Sequence, residues 1–404
     1  MKPAFLLLPL VSLLGACTAP YDSPVVDVPR SAPNLATEWL GLSNDKVEAR
    51  LETAWEHFFE GDPESQRLYY EVLDDMAYIW DVASDDVRSE GMSYGMMIAV
   101  QMDRKEAFDR LWKWTVTHMR HDSGPLEGYF AWHCSTDGTR LSEGPASDGE
   151  EWFATALMFA SARWGDGEGI FNYKAEALRI LHALPVREEH ELYISMFDPE
   201  RAMIRFVPNV DWIEVSDPSY HLPAFYELWA RFDPVYGRLW DRAAKASRDY
   251  FMTVAHPETG LMPDYATFDG EPYAVRGHED FRFDAWRVMS NVALDWAWWR
   301  ADPRAVEQSN RILRFLSKFG EDLPNQFALD GEPLDETTSP GLVAMAATAG
   351  LAADRELAQP FLEWLWDMPP PAGHYRYYDG LLYYLALLQT SGRFQWYLPV
   401  ELQD

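Results

Sequence analysis

From residue 47 onward the chain presents one helical pattern after another, with nothing between them long enough to separate domains. Apolar residues recur at helical spacing near 47–60, 90–102, 105–121, 149–163, 171–184, 218–232, 236–254, 284–300, 304–319, 341–352, 355–367 and 379–391, and the breaks are short and rich in Gly, Pro and Asp. About twelve helices joined this closely predict an all-α domain of six hairpins closed into a toroid, an (α/α)6 barrel. Residues 153–164 and 292–299 are apolar around most of the helix, which suits an inner ring covered by an outer one. No repeat of fixed period recurs, so a regular solenoid is not expected. Ile194-Ser195-Met196-Phe197 and Met203-Ile204-Arg205-Phe206-Val207 flank Asp198-Pro199-Glu200 and predict one small inserted β-hairpin. In a toroid the loops of successive hairpins gather at one end of a central funnel, where chemistry is expected.

Composition narrows the partners. The net charge of −31, from 65 acidic against 34 basic residues, repels phosphate backbones, so nucleic acid is not an expected partner. A neutral polysaccharide is not repelled, and the 18 Trp, 20 Tyr and 21 Phe suit a large core or sugar-stacking platforms. Lys2, the short apolar run 5–14 and Leu14-Gly15-Ala16-Cys17 have the form of a bacterial lipoprotein signal: residues 1–16 would be removed and Cys17 lipidated. The alternative is an ordinary secretory signal cleaved near Ala16. With Pro20, Pro24, Pro29 and Pro33, residues 17–46 read as an extended tether, leaving 47–404 as a single folded domain, exported and held to a bacterial membrane only through its lipid. Cys134 then has no intramolecular partner, so the core and not disulfides must hold the fold.

Three acidic stretches could carry chemistry. In Arg88-Ser89-Glu90-Gly91-Met92-Ser93-Tyr94-Gly95-Met96-Met97 one carboxylate opens an apolar helix; Ser89 reads as its N-cap, and Gly91 and Gly95 would let a ligand or another backbone approach Glu90. Burial there would raise the Glu90 pKa, as a general acid requires; the bland reading is a helix cap. In Ala146-Ser147-Asp148-Gly149-Glu150-Glu151 the helix dipole alone accounts for Glu150 and Glu151, whereas Asp148 sits in a turn that can aim it into a cleft. In Phe283-Asp284-Ala285-Trp286-Arg287, Arg287 lies three residues after Asp284 on one face, as a base or an ordinary salt bridge would have it. His118, His121, His133 and Cys134 lack the spacing of a metal site, Asp166-Gly167-Glu168-Gly169 reads as a turn, and neither a nucleotide loop nor a serine elbow is present, so no metal and no cofactor are expected.

Together, Ser89 to Met96, Ala146 to Glu150 and Asp284 to Arg287 resemble, in order and spacing, glycoside hydrolase family 8, over nearly everything after the tether. Gly128-Tyr129-Phe130-Ala131-Trp132, Arg163-Trp164-Gly165-Asp166-Gly167, Ser216-Asp217-Pro218-Ser219-Tyr220-His221-Leu222-Pro223 and Arg376-Tyr377-Tyr378-Asp379 are similar to its xylan-acting members, including the reducing-end xylose-releasing exo-oligoxylanases. The resemblance implies an (α/α)6 barrel that hydrolyses β-1,4 bonds of xylo-oligosaccharides or xylan with inversion. By position, Glu90 would be the general acid, Asp284 the general base and Asp148 the acid contacting the sugar at the cleavage subsite. Arg287 would orient Asp284, and Trp132, Tyr220, Tyr378 and Tyr94 would bind substrate. One departure bears on mode: Thr338-Ser339-Pro340 stands where the exo-oligoxylanases have Leu-His-Pro, a triplet that blocks the cleft and recognises the terminal xylose. An endo-acting xylanase therefore stays open, as does a glycan-binding lipoprotein without turnover; a polysaccharide lyase is disfavoured by the acidic chain.

Overall fold

The computed structural model describes residues 30–188 and 190–398. The signal peptide expected over 1–16 and the lipidation site Cys17 lie outside the described residues. Among those residues no helix is long and apolar enough to cross a membrane.

All twelve expected helices are present, arranged as two concentric rings. The inner ring consists of Ser89–Gln101, Ser147–Trp164, Pro223–Phe232, Arg287–Trp299, Pro340–Thr348 and Arg376–Thr390. Their sequences explain the placement: Ser89–Gln101 buries every position except Glu90, and Pro340–Thr348 buries everything after its first proline. A helix apolar on every side has no face to offer water and must be enclosed. Five outer helices, Lys105–His118, Tyr173–Ala183, Gly237–Val254, Arg304–Leu316 and Arg355–Asp367, each follow an inner one and turn a single apolar face inward. The sixth outer position is filled by the earliest of the twelve, Asn44–Trp55. The Tyr384 hydroxyl donates to the Leu51 carbonyl at 3.0 Å, and Phe58 packs against Gly380, so the start and the end of the chain close the toroid together.

The structure departs from the sequence reading at its edges. The helix read from 218 begins at Pro223, because Pro218–Tyr220 forms a separate 3-10 turn. The tether expected over 17–46 ends earlier: Ser31 bridges to Gln395, Ala32, Leu35 and Ala36 are buried, and Asn34 caps the short helix Leu35–Glu38. A few apolar residues among prolines have no period to reveal them. The inserted hairpin exists in reduced form, with Phe197–Asp198 paired to Met203–Ile204. Three further strand pairs were not expected: Tyr69–Val72 with Met76–Ile79, Val87–Arg88 with His133–Cys134, and Val215–Ser216 with Ala266–Thr267. The last two join residues far apart in the chain, over two positions each, which is too short for an alternating pattern. They matter for position: the strand Val87–Arg88 runs straight into the helix that opens with Ser89 and Glu90.

Candidate active site

Residues at the starts of several inner helices meet at one end of the barrel, around a single buried guanidinium. Arg287 Nη1 donates to Glu90 Oε2 at 2.9 Å, to the Tyr94 hydroxyl at 2.7 Å and to Asp148 Oδ2 at 3.2 Å. Its Nη2 donates to Asp284 Oδ1 at 2.8 Å and to Ser219 Oγ at 2.9 Å, with Asp217 Oδ2 at 4.0 Å. One cation thus faces four carboxyl groups, too few charges to keep all of them ionised in a buried place. Burial, reinforced by Asp148 and Asp284 and opposed by Arg287, pushes Glu90 up to about 7. Burial likewise raises Asp148 to about 6 against the pull of Arg287. Behind them Glu150 and Glu151 are fully enclosed and held well above the carboxylate range by burial; Glu150 accepts the Phe130 N–H and Glu151 the Tyr226 hydroxyl. Both belong to the wall and not to the cleft.

Local sequence explains how the helix starts come so close. A Cβ on Gly149 would lie 2.6 Å from the Ser89 side chain, so only glycine lets the helices at Ser147 and Ser89 touch. A Cβ on Gly91 would lie 2.5 Å from the Tyr377 hydroxyl, which donates to Glu90 Oε1 at 3.2 Å. What approaches Glu90 through that glycine is therefore a protein side chain. Gly95 likewise accommodates Ile79. Two further readings are corrected. Ser89 is not the N-cap: the helix begins at Ser89, Arg88 occupies the cap position, and the Ser89 N–H donates to the Trp132 carbonyl. Asp148 lies in the first turn of Ser147–Trp164 and not in the turn before it.

The structure brings together Glu90, Asp148, Asp284, Arg287, Tyr94, Tyr220 and Tyr378. Tyr220 and Tyr378 place their rings 5.6 and 6.0 Å from the Arg287 guanidinium. Tyr94, at 1 % exposure, has no surface left for a ligand and braces Arg287 from behind. Trp132 stands apart from the cluster: its ring stacks on His133 at 3.6 Å, and the Arg88 guanidinium lies over it at 5.6 Å. Sequence reasoning missed Tyr377, Ser219 and Asp217, although all three lie inside the quoted motifs. Each adjoins a chosen residue or lies close beside one, and which neighbour turns inward depends on a helix start that no pattern fixes.

A cleft of about 720 Å³ is lined by Glu90 and Asp284 together with Phe283, Tyr375, Thr338 and Ser339. Ser339 is turned into the protein: it caps Pro340–Thr348, accepting from the Gly341 and Leu342 N–H groups, and donates to Asp379 at 2.5 Å. Asp335 organises its own loop, accepting from the backbone of Asn325 and Gln326. Among the described residues no three His, Cys, Asp or Glu side chains are arranged to hold a metal ion.

Two concentric helical rings with carboxyl groups facing a cleft at one end define a glycoside hydrolase. Residues 71–392 match Glycosyl hydrolases family 8, and the chain belongs to that family. It is 49% identical to the reducing-end xylose-releasing exo-oligoxylanase Rex8A of Paenibacillus barcinonensis, over 88% of this chain and 94% of that one. The reducing end xylose-releasing exo-oligoxylanase of Halalkalibacterium halodurans is 43% identical over 92% of this chain and 95% of its own. Among solved structures, a catalytic mutant of a xylanase from Teredinibacter turnerae in complex with xylohexaose superposes with a TM-score of 0.88 at 44% identity, covering 91% of this chain and 98% of that one.

Proposed function

We propose that this enzyme hydrolyses β-1,4-xylosidic bonds in xylo-oligosaccharides and xylan with inversion, Glu90 acting as general acid, Asp284 as general base and Asp148 contacting the sugar at the cleavage subsite. The observation that carries this reading is the bridge made by Arg287. Glu90 Oε2 and Asp284 Oδ1 accept from its two terminal nitrogens at 2.9 and 2.8 Å. Given the rigid guanidinium between them, the two oxygens are no more than about 8 Å apart. That bound is compatible with the roughly 6.5–9.5 Å span of inverting glycosidases, which leaves room for a water beneath the sugar ring, and it admits the roughly 5–5.5 Å of retaining ones as well, so the inversion itself is taken from membership of family 8.

The bonds also assign the protons. Arg287 donates a charged hydrogen bond to Glu90 Oε2 and Tyr377 a longer, neutral one to Oε1, so the acidic proton belongs on Oε1, the more weakly bonded oxygen, and passes to the glycosidic oxygen as the bond to the anomeric carbon breaks. Arg287 occupies Asp284 Oδ1, leaving Oδ2 to take a proton from the attacking water. With Glu90 near 7, the proton needed for departure is present at neutral pH and lost above it. Glu90→Gln and Asp284→Asn should each lower kcat on xylohexaose by about a thousandfold, and NMR of the first products should show the α-anomer. Near wild-type turnover in either variant, or the β-anomer first, would sink the assignment.

The relatives named exo-oligoxylanases favour release of xylose from the reducing end. Endo action is favoured by a specific observation: Ser339, a small side chain turned toward Asp379, lines the cleft at the place where the exo-oligoxylanases carry the histidine of their blocking triplet. A time course on xylohexaose labelled at its reducing end separates the two modes. Label appearing at once and only in xylose supports exo action; early label in xylobiose and xylotriose supports an open cleft.

The Leu14-Gly15-Ala16-Cys17 signal supports lipidation of Cys17 and attachment to a bacterial membrane. Cys17→Ser should move the enzyme from the membrane to the soluble fraction; an unchanged distribution would exclude the anchor.

A further inference from the structure

The turn that carries Asp284, Phe283–Trp286, has no cap of its own: Arg282 stands at the cap position, and its side chain makes no capping bond. The missing acceptor comes from a loop about twenty residues earlier in the chain. Asp264, fully buried, accepts the Ala285 N–H through Oδ1 at 3.0 Å, sharing that donor with the Arg282 carbonyl at 2.9 Å. Through Oδ2 it meets His278 Nδ1 at 2.9 Å. His278 is itself fixed, stacked on Tyr265 with ring centroids 4.2 Å apart, and its segment is tied to the Asp264 loop by two backbone bonds, Asp264 N–H to Asp280 and Tyr265 N–H to His278. The peptide immediately after Asp284 is thus pinned by Asp264, while Arg287 pins its carboxylate.

We propose that Asp264, held in place by His278, is a positioning residue for Asp284, setting the turn that aims the base at its water. This rests on the reading of Asp284 as the base. The chemistry of the pair is that of a neutral acid on a neutral imidazole. Burial, followed by the charge of Asp284, holds Asp264 well above the carboxylate range, and burial lowers His278. The acid proton on Oδ2 then donates to His278 Nδ1 while Oδ1 accepts from Ala285. An asparagine amide offers the same donor and acceptor at the same two places, which gives the proposal its test.

Because placement and not sugar binding is at stake, kcat should change and KM should not. Asp264→Ala should lose about thirtyfold in kcat on xylohexaose with KM within about twofold, and Asp264→Asn should recover to within about threefold of wild type. Asp284→Asn is measured beside them. If that variant turns over normally, the base assignment falls and this proposal with it. If it is inactive while Asp264→Ala keeps wild-type kcat, or while the alanine and asparagine variants lose equally, only the positioning role of Asp264 is overturned. Should Asp264→Ala not fold, His278→Gln at the partly exposed end of the pair gives the second reading: a drop of about threefold in kcat with KM constant supports the proposal, and unchanged kcat overturns it.

Discussion

Glu90 and Asp284 carry the same functional group, share one arginine and are held by opposite kinds of structure. Glu90 sits in the first turn of an inner helix, walled by Gly91, Tyr377 and Tyr94, and its carboxyl is driven towards neutrality by burial. Asp284 sits in an irregular 3-10 turn before the next inner helix, keeps 23% of its side chain exposed against 16% for Glu90, and depends for its direction on Arg287, three residues on, and on Asp264 in an earlier loop. The helix provides enclosure, which an acid needs to keep its proton; the turn provides access to water, which a base needs. On the proposed roles, the difference between a donor and an acceptor of protons is one of surroundings.

The largest test of that contrast removes what the two sides share. Arg287→Lys keeps the buried charge, but a single ammonium cannot span both carboxylates as the guanidinium fork does. We expect kcat/KM to fall by about a thousandfold, with thermal denaturation showing a folded protein. A loss below tenfold would mean that the bridge is incidental and that each carboxyl is placed by its own element alone.

Asp148→Asn tests the acid side. Its negative charge is among the groups that raise Glu90, so its removal lowers the Glu90 pKa. Since the acid must be protonated to work, the alkaline limb of the kcat/KM profile, expected near 7, should move down by about one unit, together with a loss of about a hundredfold from removal of the proposed sugar contact. An alkaline limb that stays in place would show that the charge of Asp148 does not set the acid.

The same contrast separates what was legible in the sequence from what was not. Glu90 interrupts a long apolar run and Asp148 precedes a glycine at a helix start, which singled both out, whereas their meeting at Arg287, expected only to orient Asp284, left no mark in the pattern. The twelve helices were readable because burial on all sides or on one side leaves a periodic record. Asp264 left no such record: its role arises from a loop folding back beneath a turn, and nothing near Met262-Pro263-Asp264 distinguishes it from an ordinary loop acid. The pairing of Val215–Ser216 with Ala266–Thr267, which anchors that loop, is equally silent. Ser339 shows the remaining limit, because the triplet revealed a departure from the expected motif while only the bond to Asp379 shows where the hydroxyl points.

Two adjacent tyrosines provide the finest comparison, since each serves one side. Tyr377 donates to Glu90 Oε1 at 3.2 Å, whereas Tyr378 donates to the Phe283 carbonyl at 2.9 Å, one residue before the base. A hydroxyl donating to a carboxylate favours the ionised form, so Tyr377→Phe should raise the Glu90 pKa, move the alkaline limb upward and lower kcat by about tenfold. Tyr378→Phe keeps the ring beside Arg287 and removes only a hydroxyl that bonds a backbone carbonyl, so it loosens only the turn. It should lower kcat by about threefold with the pH profile unmoved. If the two substitutions shifted the profile alike, the acid and base would be electrostatically one unit, and the division between an enclosed helix start and an open turn would have no kinetic meaning.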